Sequence, residues 1–386
     1  VNSQVSAAGF DEPSAEGASR KAMRKRIHLI AAARPNFMKI APLFHTLSRE
    51  KWADARIVHT GQHYDVNMSE AFFHDLGLPA PHCHLGVGSG THGEQTGRVM
   101  MAYEKVLLEE KPDLVVVVGD VNSTMAATIA ACKLGVPVAH LEAGLRSFDR
   151  SMPEEINRVV TDALADLLWT PSPDGDANLL REGVPRERIE RVGNIMIDSL
   201  EMLRDRIEKE SGSLEGRVPP SPYGVVTLHR PSNVDSLHVL GELCRALRGV
   251  AAIIPLVFPV HPRTRANLEA FGLMDSLAGS KGVHLLAPMG YIPFMGCVFR
   301  SKIVITDSGG LQEETTYLGI PCLTVRPNTE RPITIEEGTN TLCGPENLAA
   351  LAEKALTGPK RPARPPALWD GRTAFRVVDS IKRFLA

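Results

Sequence analysis

Between Asp113 and Gly119 the chain runs Leu114-Val115-Val116-Val117-Val118, five apolar residues in succession, four of them β-branched. A strand of that composition offers water nothing on either face, so it fits the middle of a parallel sheet covered by helices on both sides. Runs of the same character recur at Ile27 to Ala31, Ile57 to Thr60, Val138 to Leu141 and Leu167 to Thr170, separated by amphipathic stretches of helical length. This alternation predicts a doubly wound α/β domain. A second series, Gly224 to Leu228, Leu256 to Val260, His284 to Leu286, Ile303 to Thr306 and Cys322 to Val325, predicts another of the same design. The length agrees, since 386 residues exceed what a single hydrophobic core usually serves.

Ser211-Gly212-Ser213-Leu214-Glu215-Gly216 and Pro219-Pro220-Ser221-Pro222 read as segments that cannot continue a helix. The domain boundary is expected near Gly193-Asn194, giving a first domain over 27–193 and a second over 194–369, opened by a helix from Ile195 to about Glu210. After the prolines at 359, 362, 365 and 366, the pattern Phe375, Val378, Ile381, Phe384 predicts a last helix within 370–386 that packs back on the first domain. Residues 1–26, rich in Ser, Ala, Gly and Glu and ending in a scatter of Arg and Lys, read as a disordered, solvated tail.

With 43% hydrophobic residues, 23% charged residues and a formal charge of -2, the composition argues against a general binder of nucleic acid or acidic lipid. Any ligand must be recognised locally. The six cysteines form no CxxC pair, no apolar run reaches the length of a membrane span, and the N-terminus lacks the stretch of a secretory signal, which together predict a protein of the reducing cytoplasm. His82-Cys83-His84 has too few further ligands nearby to predict a metal site. The first strand leads into Ala31-Ala32-Ala33-Arg34 in place of GxGxxG, which speaks against a nicotinamide cofactor; no cofactor or metal is expected.

In open α/β sheets ligands bind beyond the carboxyl ends of the strands, so polar residues that directly follow a strand carry most weight. Asp307-Ser308-Gly309-Gly310-Leu311-Gln312-Glu313-Glu314 follows the run Ile303 to Thr306 with no spacer and reads as strand, tight turn and helix start. Ser308 is placed to cap the helix, the glycines bare the backbone for close approach, and the helix dipole favours an anion there. A carboxylate one turn further in, Glu314, repels phosphate but can accept from a ribose diol, so the stretch points to a nucleotide. Asp120, Glu142, His229-Arg230 and His261 follow other strands and add acids, bases and cations. Several of the candidates have a plainer alternative. Asp120 could cap a helix starting near Ser123, Glu154 and Glu155 suit a helix N-terminus on dipole grounds, and His229 or Arg331 alone would be ordinary loop residues. Arg34 and Lys39 stand in the first turns of a helix, where the dipole disfavours cations, which points to a functional reason for them.

The ordered set Arg34-Pro35-Asn36-Phe37-Met38-Lys39, Gly61-Gln62-His63, Gly119-Asp120, His140 to Arg146, Pro153-Glu154-Glu155-Ile156-Asn157-Arg158, Gly193-Asn194, His229-Arg230, Pro259-Val260-His261, Asp307 to Glu314 and Thr329-Glu330-Arg331-Pro332 resembles the non-hydrolysing UDP-N-acetylglucosamine 2-epimerases. The likeness runs from Ile27 to the last helix. It implies a GT-B fold, two Rossmann-like doubly wound domains facing a central cleft, and reversible epimerisation at C2 of UDP-N-acetylglucosamine through 2-acetamidoglucal, supplying a precursor of cell-surface polysaccharide. By that resemblance Ser308, Gly309 and Gly310 would hold the diphosphate, Glu314 the ribose, and the segment with Tyr291 and Phe294 the uracil. Arg34, Lys39, Arg146, His229 and Arg331 would complete the charged surround, and Asp120, Glu142 and Glu154, with His229, would carry the proton transfers. Many members use a second, activating UDP-N-acetylglucosamine site, with which Gln62, Arg98, Glu154, Arg230 and His261 align. A homodimer is implied as well. Ala32 departs from the glycine frequent there, and Asp65 lies where members vary. Three alternatives stay open: a hydrolysing 2-epimerase, a GT-B glycosyltransferase, against which the first-domain carboxylates argue, and a nucleotide-sugar sensor that binds without turnover.

Overall fold

The computed structural model describes residues 24–61, 73, 75–214, 216–358 and 364–386; of Arg34 it describes the backbone alone. Among these residues the first half forms a seven-stranded sheet from β1 (Lys25–Ala31), β2 (Ala53–His59), β3 (Cys83–His84), β4 (Leu114–Val118), β5 (Val138–Leu141), β6 (Leu167–Thr170) and β7 (Ile189–Arg191). The order is β3-β2-β1-β4-β5-β6-β7. All the pairings are parallel, with Val116 of the all-apolar β4 lying between Leu29 and Ala139. The second half forms a six-stranded parallel sheet from β8 (Gly224–Thr227), β9 (Leu256–Pro259), β10 (Val283–Leu286), β11 (Ile303–Thr306), β12 (Cys322–Val325) and β13 (Asn340–Cys343), ordered β10-β9-β8-β11-β12-β13.

In each sheet the strand order reverses next to the first strand, between β1 and β4 and between β8 and β11. Adjacent strands there send their connections to opposite faces, and the gap left beyond their carboxyl ends is where such sheets take ligands. Asp120 follows β4, His229 follows β8, and Asp307 to Gly310 follow β11, so the candidate residues fall at both reversals.

Two differences from the sequence reading concern boundaries. Lys25 and Arg26, assigned to the tail, pair with Ala53 and Asp54 as the start of β1, and the Arg26 amide donates to Asp113 Oδ2 at 2.7 Å. The expectation for residues 1–23 lies outside the described residues. The helix that opens at Ile195 runs to Ser213, through the Ser-Gly-Ser segment read as its break. Ser211 and Ser213 turn their hydroxyls back onto the carbonyls of Glu208 and Glu210, and Leu214 buries itself in the core at the helix end.

That helix, Ile195–Ser213, is shared between the halves. Asn194 caps it by accepting from Met196 N at 2.9 Å. Its Ser199 hydroxyl donates to Met38 O at 2.5 Å in the first half, while Arg300 of the second half donates to Ser211 O at 2.8 Å. One continuous apolar core accordingly contains Val116, Leu200, Val225 and Met295. The last helix, Thr373–Phe384, adds Val377, Val378 and Ile381 to it, and Trp169 Nε1 of β6 donates to Ser380 Oγ at 2.9 Å.

Candidate functional site

Between the two halves lies a cavity of about 430 Å³, lined from one side by Pro35, Met38, Lys39, Asp120, Glu154 and Arg158 and from the other by His229, Arg230, Tyr291, Ser308 to Gly310 and Arg331, among others.

The second-half wall is organised by Asp307. Its fully buried carboxylate accepts from the amides of His229 and Arg230, both at 2.9 Å, and from Asn233 Nδ2 at 3.1 Å, and it pairs with His229 Nδ1 at 2.9 Å. Burial opposes ionisation, but the bond from His229, the charge on that ring and the backbone amides together hold Asp307 below the usual carboxylate range. The ends of β8 and β11 are thereby tied together, and one nitrogen of His229 is fixed. The sequence quoted Asp307 in its motif without giving it this job. The helix Gly309–Leu318 begins where expected, with Ser308 in the cap position, but the Ser308 side chain makes no cap hydrogen bond; its amide donates to Thr306 Oγ1 at 2.9 Å. The hydroxyl is therefore not used up as a cap.

The two glycines differ. A Cβ at Gly309 would lie 2.8 Å from Glu330 Oε1 and 2.9 Å from Arg331 Nη1, whereas at Gly310 nothing among the described residues comes within 4 Å. Gly309 lets an arginine pack against the helix start, and Gly310 leaves open space in the cleft. Arg331 pairs with Glu313 Oε1 at 2.8 Å and with Glu330 Oε1 at 2.6 Å, and Glu330 pairs in turn with Arg326 at 2.9 Å. Burial pushes the Glu313 carboxyl up to about 7, against the pull of Arg331. Glu330 is buried too, yet Arg331 and Arg326 hold it down to about 2. Tyr291 donates its hydroxyl to Glu314 Oε1 at 2.7 Å, with Phe294 beside it on the cavity wall.

On the first-half wall Asp120 pairs with Arg158 Nη1 at 2.5 Å, and Arg158 with Glu155 Oε2 at 2.7 Å. Glu155 also accepts from the amides of Ser147 and Phe148, at 2.9 and 3.0 Å. Asp120 caps nothing: the helix Asn122–Lys133 has Val121 in the cap position, and Ser123 is buried against Thr60 Oγ1 at 3.0 Å. Glu154 is exposed and lines the cavity, while its neighbour Glu155 is the structural member of the pair. Glu142 lies behind Lys39, joined to its Nζ at 2.5 Å; it is buried, sits in the left-handed region at φ 73, and its Oε1 meets no hydrogen-bond partner among the described residues. The backbone strain and the orphaned buried oxygen are both costs that a purely structural residue has no reason to carry. Gly119, at φ 66, makes room for Lys39, whose Nζ would lie 2.7 Å from a Cβ there.

Several expected residues are placed otherwise. Arg146 is buried and absent from the cavity lining, paired with Asp162 and Glu182, each at 2.7 Å, and it braces the turn after β5. Of the residues aligned with an activating site, Arg230 and Glu154 line the cavity, and the His261 ring lies 5.6 Å from that of His229. Burial and the neighbouring His229 lower the His261 pKa. Arg98 is absent from the lining and rests half-exposed against Glu94. Gln62 and the Arg34 side chain lie outside the described residues. His82 and His84 have local partners: Nδ1 of His82 accepts from Ile57 N at 3.1 Å, and His84 meets the His59 ring edge-on. Sequence reasoning assigned no role to Glu313, Glu330, Arg158 or the apolar wall of Met38, Met152 and Met196. The first three stood inside quoted motifs; the methionines gave no signal of their own.

The model of the family described as UDP-N-acetylglucosamine 2-epimerase matches residues 45–382. A UDP-N-acetylglucosamine 2-epimerase of Methanococcus maripaludis is 40% identical over 92% of this chain and 98% of its own. A UDP-2,3-diacetamido-2,3-dideoxy-D-glucuronate 2-epimerase of Pseudomonas aeruginosa is 42% identical over 83% of this chain and 88% of its own. The crystal structure of the Methanocaldococcus jannaschii UDP-GlcNAc 2-epimerase in complex with UDP-GlcNAc and UDP superposes with a TM-score of 0.85 at 40% identity, covering 93% of this chain and 99% of that one. The two parallel sheets with their facing strand ends are the GT-B arrangement, and the chain belongs to the UDP-N-acetylglucosamine 2-epimerase family.

Proposed function

We propose that the protein interconverts UDP-N-acetylglucosamine and UDP-N-acetylmannosamine by elimination and re-addition of UDP. The observation that carries this reading is the cavity itself, which sets an anion-accepting helix start with Arg331 and His229 opposite the carboxylates Asp120 and Glu154. In this reading the second unit, 194–369, holds UDP. Ser308, Gly309 and Gly310 meet the diphosphate together with Arg331, Glu314 takes the ribose hydroxyls, and Tyr291 and Phe294 flank the uracil. The first unit, 27–193, supplies the proton transfers through Asp120, Glu142 and Glu154. A base takes the C2 proton as the C1–O bond breaks, the electron pair leaves with UDP, and 2-acetamidoglucal remains. UDP then re-adds at C1 while an acid protonates C2 on the opposite face. The cations stabilise the departing diphosphate, and proton transfer needs groups that change charge near neutrality. Lys39 supports a part for Glu142 in this chemistry by holding a cation against its carboxylate at the inner end of the cleft.

Turnover of UDP-N-acetylglucosamine in heavy water, followed by NMR, tests the mechanism. The new UDP-N-acetylmannosamine is expected to carry deuterium at C2. Product with protium fully retained there would sink elimination, and free N-acetylmannosamine would mark a hydrolysing enzyme. A second substrate is favoured by one observation: the Pseudomonas relative named for a UDP-diacetamidoglucuronate is 42% identical, against 40% for the Methanococcus relative named for UDP-N-acetylglucosamine, though over a shorter span. Parallel assays with both sugars decide between them. The same reading has the protein acting as a cytoplasmic homodimer. Six free cysteines support the compartment, and the exposed Ile156, Val159 and Leu164 on the helix Pro153–Leu164 support the dimer. Sedimentation at two concentrations tests the dimer.

A further inference from the structure

Glu313 presents a problem that the proposed chemistry does not solve. It is 1% exposed, lies on the wall of a cleft read as an anion site, and its Oε2 finds no hydrogen-bond partner among the described residues. A carboxylate in such a place weakens the binding of an anion unless it does something else. What it does is visible in its other oxygen, 2.8 Å from Nε of Arg331, while Glu330 takes Nη1 from another side at 2.6 Å. The loop that carries Arg331 is laced to the same helix one residue earlier, where Thr329 Oγ1 donates to Gln312 Oε1 at 2.8 Å and accepts from Arg331 N at 3.1 Å. Gly309 completes the seat by having no side chain where the guanidinium packs.

We infer that Glu313 is a positioning residue for Arg331: with Glu330 it fixes the guanidinium against the start of the helix Gly309–Leu318, so that one rigid body presents both the helix N-terminus and the arginine to the diphosphate. This rests on the reading of the cleft as a UDP site. An arginine free to rotate loses side-chain entropy each time it grips an anion, and one already seated has lost it on folding. The charges allow this arrangement. Arg326, Glu330, Arg331 and Glu313 alternate in sign along the chain of contacts, and burial leaves the last carboxyl poised near neutrality, so the cluster does not repel the ligand.

The test is calorimetry with UDP on the full chain, with kcat and KM measured alongside. Glu313→Ala removes the ion pair at Nε and is expected to raise the UDP Kd by about tenfold or more, as truncating one partner of a buried charge pair does. Glu313→Gln keeps a polar oxygen of the same reach against the guanidinium and is expected to stay within about threefold of wild type. Adding Glu313→Ala to Arg331→Ala is expected to cost nothing further, because there is no guanidinium left to seat. Glu313→Ala and Glu313→Gln both binding UDP as tightly as wild type, or more tightly, would overturn the inference in favour of a mere charge or filler. So would an undiminished effect of Glu313→Ala in the Arg331→Ala background, which would mark a role in the fold. If circular dichroism shows the alanine variant unfolded, Glu313→Asp, too short to reach Nε, takes its place in the same comparisons. Wild-type protein that does not bind UDP at all would sink the reading of the cleft, an outcome separate from every one above.

Discussion

Gly309 and Gly310 are neighbours in one turn, and the reason each is glycine is different. The first is crowded by Glu330 and Arg331, and the second faces open space. Gly309→Ala is therefore expected to displace the buried ion pair and to cost the ~1–3 kcal/mol of stability typical of overpacking, seen as a lower melting temperature. Gly310→Ala, at a helical position, is expected to leave it unchanged or slightly raised. Differential scanning calorimetry of the two variants checks this. At this scale the sequence was legible where a residue's neighbours in the chain are also its neighbours in space. The segment Asp307 to Gly310 could be read as strand end, turn and helix start because the three are contiguous. Arg146 could not be placed, because its partners stand further along the chain, Asp162 on one helix and Glu182 just past the end of the next, and a buried arginine is recognised only by the carboxylates that meet it. The Ser308 cap failed for a related reason: the residue type fits the position, but nothing in its type obliges the side chain to make the bond.

Among the elements, β3, β7 and β13 escaped the sequence reading, and all three lie at sheet edges. Cys-His, Ile-Glu-Arg and Asn-Thr-Leu-Cys are strands by virtue of a neighbour's hydrogen bonds, not of an apolar run. The central strands had to be apolar on both faces and were legible for that reason. One polar exception inside β1 gives a pH prediction. His28 is fully buried, its Nδ1 3.1 Å from the Tyr103 hydroxyl and its Nε2 3.0 Å from Glu110, and burial lowers its pKa to about 4. The unfolded chain takes up that proton near pH 6.5 and the folded one only near 4, so stability is full above 6.5 and falls as pH drops through that window. The loss is expected to reach at most about 3 kcal/mol. Urea denaturation at pH 7 and pH 5 reads it, and His28→Gln is expected to flatten the difference. A second element-scale prediction concerns the last helix, whose cap is borrowed: Asp198, from the helix Ile195–Ser213, accepts from Thr373 N at 3.1 Å and Ala374 N at 2.8 Å. Asp198→Ala is expected to cost about 1–2 kcal/mol in the same measurement, the range of a lost N-cap.

For the whole molecule, the two strand reversals face each other across one cavity, and the proposed division of labour follows from which reversal a residue belongs to. Glu314→Ala is expected to weaken UDP binding by about tenfold, the loss of hydrogen bonds to a charged group. Asp120→Asn and Glu142→Gln are expected to keep UDP affinity and to lower kcat by at least about a hundredfold, the usual worth of acid–base catalysis. Calorimetry beside turnover separates the two sets, and carboxamide variants that turn over normally but lose UDP would reverse the assignment. The rhythm of strands made the two-unit architecture legible and the last helix was expected to return to the first unit, whereas the part of the helix Ile195–Ser213 in a shared core was not legible, because no local pattern says that a helix opening one unit will pack on the other. That shared core has a consequence for how the chain is made. The helix Arg34–Leu47 packs on the helix Thr373–Phe384, and Trp169 reaches Ser380. The first unit is thus translated early but lacks one of its faces until the entire second unit has emerged. Vectorial synthesis gives it no head start to a finished fold, and for that interval its apolar surface depends on a chaperone or on the speed of the ribosome.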